Sequence, residues 1–336
     1  MVTGGAGFIG SALVRTLIRD TACEVLTVDK LTYAGNREAL AEVLNDPRHS
    51  LEVVDIRDRA AIAGLLSRFR PDALIHLAAE THVDRSIDDP SPFIHTNIVG
   101  TFELLEAVRA WLLGSRSPEH FRLLHVSTDE VFGDLDAEDA PWSERSRYDP
   151  HSPYSASKAG SDHLVRAWHR TYGLPILVSN SSNNFGAWQH PEKLIPLTIT
   201  RALAGEPLPI YGDGSNVRDW LYVDDNVTAL LAILAGGQVG RTYNVGAGNE
   251  RTNLAVVRAI CDHLDRTAPR DASSYRDLIR FVDDRPGHDF RCAIDSGKVC
   301  EELGWKPRHD FESALARTVD WYCRHRRGFD RPSQDS

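Results

Sequence analysis

The feature that most constrains this chain stands at its start. There Val2-Thr3-Gly4-Gly5-Ala6-Gly7-Phe8-Ile9-Gly10 spaces glycines as G-x-x-G-x-x-G at Gly4, Gly7 and Gly10. After a strand, that spacing permits a tight turn, close approach of the backbone to a pyrophosphate, and close packing of the next helix. The first N–H groups of that helix then point at the phosphates. Asp29 closes the following apolar run, about 20 residues on, where a carboxylate accepts hydrogen bonds from the adenosine ribose and repels a 2′-phosphate. A glycine turn alone is often only a turn; with Asp29 it predicts a dinucleotide site that favours NAD over NADP. Only Met1 to Thr3 precede the glycines, so the first strand is expected to be very short, or the start truncated.

The first half of the chain continues the same plan. Apolar runs at 24–28, 51–54, 73–77 and 122–126 alternate with amphipathic stretches at 11–19, 60–69 and 100–112. A long helical pattern at 154–172 leads into a further run at 176–178. Buried strands separated by helices predict an α/β fold, a doubly wound parallel-sheet Rossmann domain. After residue 180 the alternation breaks down. Pro and Gly crowd 186–214, which suggests loops and short elements, and helical patterns resume at 224–234, 253–264 and 311–324, with a strand at 242–245. The expected organisation is a Rossmann domain over 1–180 with a returning segment near 220–245, a smaller C-terminal α/β substrate lobe mainly over 181–325, and a mobile tail at 326–336.

Charge narrows the partners. Lys plus Arg is 38 against 48 for Asp plus Glu, a net charge of −10, which repels nucleic acid and anionic membranes. No run of about 18 apolar residues is present to span a bilayer. The five cysteines are scattered without a C-x-x-C pair, which argues for reduced thiols in a cytoplasmic protein and against a disulfide framework or zinc site. No other spacing demands a metal.

Two segments carry candidate chemistry. Tyr154-Ser155-Ala156-Ser157-Lys158 sets a phenol and an ammonium four residues apart on one helix face. A neighbouring cation favours phenolate, which makes Tyr154 a usable base near neutral pH. Ser127-Thr128-Asp129-Glu130 follows the apolar run at 122–126, at the carboxyl end of a strand where doubly wound folds bind ligands. Thr128 can hydrogen-bond a substrate oxygen, and two carboxyls in different environments can divide acid and base roles.

The glycine turn, Tyr154/Lys158, and the runs Leu31-Thr32-Tyr33-Ala34-Gly35-Asn36 and His82-Val83-Asp84-Arg85-Ser86 resemble the extended short-chain dehydrogenases/reductases. Thr128-Asp129-Glu130-Val131-Phe132-Gly133, Pro191-Glu192-Lys193-Leu194-Ile195-Pro196 and Asp284-Arg285-Pro286-Gly287-His288-Asp289 narrow the resemblance to the dTDP-glucose 4,6-dehydratases, from Val2 to about Tyr322. Phe132 stands where that family often has Tyr.

The resemblance implies NAD as cofactor, dTDP-glucose as substrate and a 4-keto-6-deoxy sugar nucleotide as product. It assigns catalysis to Thr128, Asp129, Glu130, Tyr154 and Lys158: Tyr154 as base at the C4 hydroxyl, Glu130 as base at C5, Asp129 as acid for the C6 hydroxyl. It assigns the cofactor to Gly4, Gly7, Phe8, Ile9, Gly10, Asp29, Lys30, Thr32, Asp55, Ile56, Leu77, Ala78, Ala79, Thr96 and Asn184, together with Tyr154 and Lys158. It assigns the substrate to Ser86, Thr128, Asn183, Lys193, Leu194, Pro209, Ile210, Tyr211, Arg218, Asn253, Arg285 and His288. It also implies a homodimer paired through the helices at 100–112 and 154–172. Three alternatives stay open: a 4-epimerase, a CDP- or UDP-sugar 4,6-dehydratase, and a non-catalytic NAD sensor. The Asp129-Glu130 pair disfavours the first. A sensor would need none of the four reactive side chains.

Overall fold

The computed structural model describes residues 1–114, 120–271 and 273–325. The tail expected to be mobile, 326–336, lies outside the described residues. Six strands come in succession: β1 (Val2–Thr3), β2 (Val25–Asp29), β3 (His49–Val53), β4 (Ala73–His76), β5 (Arg122–Thr128) and β6 (Ile176–Ser181). The chain then forms β7 (Asn183–Phe185), β8 (Leu208–Tyr211) and β9 (Val217–Tyr222), returns with β10 (Thr242–Val245), and adds β11 (Glu250–Thr252), β12 (Ile279–Val282) and β13 (Arg291–Cys292). The main sheet runs β10-β6-β5-β4-β1-β2-β3 and every pairing in it is parallel. The first strand is two residues long yet pairs on both sides, Val2 with Thr27 and with Ile75. Strand order reverses between β1 and β4, and that switch point opens a crevice at the carboxyl ends of the strands.

Successive residues on a strand face opposite sides, and here they feed two cores. Ile75, Leu124 and Leu177 pack with the helices Phe8–Asp20 and Val223–Gly236. Their neighbours Leu74, Leu123 and Ile176 pack with Arg59–Phe69, Thr101–Leu112 and Pro153–Tyr172. A third core, around Ile199, Trp220, Val257, Leu315 and Tyr322, belongs to the later part of the chain. There β9 lies between β11 and β13 and also pairs β7, while β8 pairs β12.

The Pro- and Gly-rich stretch contains more order than its composition suggests. Leu194–Ala204 is a helix. Pro196 falls in its first turn, where a missing N–H breaks no helical bond, and Gly205 ends it at φ 72°. The helix Pro153–Tyr172 starts on a reciprocal cap between Ser152 and Ser155, has Pro153 in its first turn, and stops at left-handed Gly173. Those caps fix where Tyr154 and Lys158 emerge. Among the described residues no helix is long and apolar enough to cross a membrane.

Candidate active site

Three cavities run together along the crevice. An open groove of about 530 Å³ is lined by Gly4, Gly7, Asp29, Lys30, Thr32, Ile56, Leu77, Ala78, Ala79 and Thr96. Through Gly4 and Gly7 it joins a cavity of about 1120 Å³ that also touches Phe8, Ile9, Gly10, Thr128, Asp129, Glu130 and Tyr154. Through Glu130, Asn183, Asn184 and Lys193 this meets a third, of about 1040 Å³, lined further by Leu194, Pro209, Ile210, Tyr211, Arg218, Asn253, Arg285 and His288. All of the expected cofactor, catalytic and substrate positions except Asp55, Ser86 and Lys158 line these connected cavities, with Asn184 at the inner junction.

The glycine turn is shaped for close approach. A Cβ on Gly4, at φ +71°, would sit 2.6 Å from the Ala78 nitrogen, and one on Gly10 would sit 2.1 Å from the Gly4 carbonyl oxygen. Gly7 caps the helix Phe8–Asp20 without a side-chain hydrogen bond, so the first N–H groups have no side-chain acceptor. The Asp29 carboxylate is oriented by the Ala6 N–H at 3.0 Å and the Leu31 N–H at 2.8 Å. Burial pushes its pKa up and those two donors oppose that. A pyrophosphate cradle followed by a fixed carboxylate fits NAD.

At the catalytic end, Thr128 caps a short turn Asp129–Phe132, its hydroxyl accepting from the Glu130 N–H at 3.3 Å. That hydroxyl also donates to Asp129 Oδ1 at 3.2 Å, while Asp129 Oδ2 is buried without a partner. Burial, then the nearby Glu130 and Asp219 carboxylates, hold the Asp129 pKa well above the usual range. That shift favours the protonated form, which suits Asp129 to act as an acid, and Glu130 lines both cavities beside it.

Tyr154 is buried, with its phenol pKa pushed up by burial and then by Glu130, while a hydrogen bond with Thr128 pulls the other way. This reverses the direction expected from the Tyr-x-x-x-Lys spacing. The physical reason is burial of the phenol, followed by the Glu130 carboxylate; the Lys158 ammonium, itself buried, donates 2.9 Å to the Val126 carbonyl and does not line the cavities. Two other expected contacts also fall outside the lining. The buried Ser86 hydroxyl donates to the Val83 carbonyl at 2.6 Å and accepts from the Tyr154 N–H at 3.1 Å, so it holds the base in place from behind. The Asp55 carboxylate is engaged by Arg57 at 2.7 Å.

The outer cavity carries charges of both signs and several unpartnered donors and acceptors. Arg285 Nη1 donates to Asp84 at 3.1 Å, while its Nε is buried and unpartnered. The amide oxygens of Asn183, Asn184 and Gln189 are buried and unpartnered, as is the Trp220 indole N–H. The Tyr211 hydroxyl donates to the other Asp84 oxygen at 3.2 Å. Arg218 donates to the carbonyls of Val217, Asp289 and Phe290.

Sequence reasoning passed over several residues. Asp84 clamps Arg285 and Tyr211, and the signal for it stood in the His82-to-Ser86 run. Asn97 ties the backbone of Glu80 to Ser157 with bonds of 2.8–3.0 Å and carried no sequence signal. Asp162 repeats the four-residue spacing after Lys158, which was the available clue.

Comparison with known proteins agrees with this geometry. The model of the GDP-mannose 4,6 dehydratase family matches residues 1–318. A dTDP-glucose 4,6-dehydratase of Neisseria meningitidis serogroup B is 57% identical over 327 residues, 96% of this chain and 92% of that one. dTDP-glucose 4,6-dehydratase 1 of Escherichia coli K12 is 54% identical, covering 98% of this chain and 94% of its own. The crystal structure of DesIV, a dTDP-glucose 4,6-dehydratase from Streptomyces venezuelae with NAD and TYD bound, superposes with a TM-score of 0.90 at 46% identity, covering 98% of each chain. A UDP-glucose 4-epimerase from Thermotoga maritima shares the fold at a TM-score of 0.84 but only 29% identity, over 96% of this chain and 98% of that one.

Proposed function

Because the chain belongs to the GDP-mannose 4,6-dehydratase family, and within it to the dTDP-glucose 4,6-dehydratases, we infer that it is an NAD-dependent lyase. It converts dTDP-glucose to dTDP-4-keto-6-deoxyglucose. The observation that carries this reading is the Asp129-Glu130 pair, a buried carboxyl with a raised pKa beside a second carboxyl, at the junction of the cavities and facing the same space as Tyr154. An epimerase needs only the phenol; a dehydratase needs a base at C5 and an acid at C6 as well.

The cofactor groove offers Asp29 to the adenosine ribose and the Gly4–Gly10 turn to the pyrophosphate. NAD, when bound there, supplies a hydride acceptor for C4 and the donor that later serves C6. The chain's own residues move the protons. Tyr154 takes the C4 hydroxyl proton as phenolate, the form that the Thr128 hydrogen bond favours against burial and Glu130. The resulting ketone acidifies C5, and Glu130 removes that proton. Asp129 gives its proton to the C6 hydroxyl, which leaves as water; Glu130 returns its proton to C5 as C6 is reduced, and the C4 proton held by Tyr154 replaces the one that Asp129 gave up. Arg285, through its free Nε, and Lys193 bind the diphosphate; paired N–H donors and a fixed positive charge suit that group.

We also propose residues 1–180 with the 220–245 return as the cofactor domain, 181–325 as the substrate lobe, a cytoplasmic location, and a homodimer. The helices Thr101–Leu112 and Pro153–Tyr172 carry an aromatic outer surface, with Phe102 edge-on to Trp168 and Tyr172 47% exposed. A monomeric mass at micromolar concentration would reject the dimer. The activity itself is tested by incubating the protein with dTDP-glucose, UDP-glucose and CDP-glucose and reading the alkali-dependent absorbance of the 4-keto product. Turnover confined to dTDP-glucose is expected; preferred turnover of another nucleotide sugar, or none, overturns the reading.

A further inference from the structure

A layer of buried polar groups lies directly behind Lys158 and has no part in the chemistry above. Tyr154, Lys158, Asp162 and Arg166 recur every four residues on one helix, so their side chains share a face. Asp162 is fully buried and held from three other elements. The His125 ring on β5 meets Oδ1 at 3.0 Å, the Tyr148 hydroxyl donates to Oδ2 at 2.8 Å, and the Asn180 amide on β6 reaches Oδ2 at 3.4 Å. Arg166 donates to that same Tyr148 hydroxyl at 2.6 Å. Asn180 also donates to the Thr128 carbonyl at 3.0 Å, which ties this layer to the catalytic turn.

We propose that Asp162 is the positioning counter-ion of Lys158: the carboxylate, one helical turn on, that keeps the buried ammonium charged where it donates to the Val126 carbonyl. This rests on the assignment of Tyr154 as the base at C4. A lone ammonium in a desolvated layer gives up its proton, and an opposite charge one helical turn away prevents that. The other titratable groups facing the pair cannot do so. His125 and His76 are kept neutral by burial, with His125 packed against His76 at 5.3 Å, and a neutral imidazole supplies no negative charge. Arg166 is itself a cation. Burial lowers the Lys158 pKa and Asp162 opposes it, while Asp162 is held below the ordinary carboxylate range by His125, Lys158 and Arg166 against the pull of burial. The donors from β5, β6 and the Tyr148 loop leave the carboxylate no freedom to turn away.

The test is the rate–pH profile of the NAD-loaded enzyme. In Asp162→Asn the amide keeps the shape but not the charge. The alkaline limb of kcat, where Lys158 loses its proton, is expected to move down by about 1–3 pH units, with NAD content unchanged. Tyr148→Phe removes one holding donor but neither charge, and should leave the limb in place. A profile for Asp162→Asn that superposes on wild type overturns the proposal. If Asp162→Asn does not fold, the double variant Lys158→Met/Asp162→Asn decides: removing both charges should restore the fold, because the single change strands a buried cation. A double variant as unstable as the single one overturns the proposal. Tyr154→Phe separates the two levels of inference. If it abolishes turnover while Asp162→Asn is silent, only the counter-ion role fails; if it remains active, the assignment of the base fails.

Discussion

Replacing Glu130 by Gln should drive two steps of one reaction in opposite directions. Glu130 is proposed to remove the C5 proton, and an amide cannot. Loss of a positioned general base costs about 10²–10⁴-fold, or about 2.7–5.4 kcal/mol at 1.36 kcal/mol per tenfold. The same carboxylate is the leading charge that pushes the Tyr154 phenol upward, second only to burial. Its removal therefore makes phenolate easier to form and leaves C4 oxidation intact or faster. It also relieves part of the pressure that keeps Asp129 protonated, where Glu130 is again the leading charge after burial. That weakens the acid at C6 and deepens the block on elimination. The variant should therefore accumulate reduced nicotinamide together with a 4-keto hexose, while release of 4-keto-6-deoxy product falls by 10²-fold or more. Stopped-flow nicotinamide absorbance reads the first step, and solvent deuterium exchange at C5 reads the second. Two results would refute the reasoning: wild-type product formation, or loss of reduced nicotinamide in parallel with product.

Asp129→Asn should slow loss of the C6 hydroxyl and at the same time stabilise the fold. The raised native pKa keeps a proton on Asp129 that the unfolded chain releases above the usual carboxylate range, so wild-type stability falls as pH rises from there through the raised native pKa; the melting-temperature gain of the variant should accordingly grow as pH rises above the usual carboxylate range, by about a few degrees. Arg285→Ala should raise KM for the nucleotide sugar by about 10- to 100-fold, the worth of a charged hydrogen bond, with a smaller effect on kcat; an unchanged KM would remove Arg285 from the diphosphate site. Gly10→Ala places a Cβ against the Gly4 carbonyl and should yield protein depleted of NAD on gel filtration; full cofactor content would show that the turn can relax.

What could be read from the sequence is what is local. The glycine spacing, Asp29 at a strand end, the four-residue step from Tyr154 to Lys158 and the strand-end carboxyls are each set by one turn or one helix. Each lands on or beside the crevice. The short strands of the later lobe carry too few residues for a period, and β8 is legible only through its partner β12, more than 60 residues away. The helix at Leu194 was hidden because Pro196 reads as a breaker until its place in the first turn is known.

The protonation states were the least legible part, because burial and charge come from distant segments. Asp84 meets Arg285 across 201 positions and His125 meets Asp162 across 37. Spacing set Tyr154 and Lys158 on one face, but the net shift of the phenol is upward, because burial and the Glu130 carboxylate, which the spacing could not show, act on it. The same distant contacts create the feature that separates a dehydratase from an epimerase on one fold. An exposed Asp-Glu pair would be two ionised loop acids. Here Asp129 is buried, and from β9 Asp219 adds to the charge effect of Glu130 while Arg218 opposes it, so the acid's tuning depends on the later lobe as well as on the two residues that perform the chemistry.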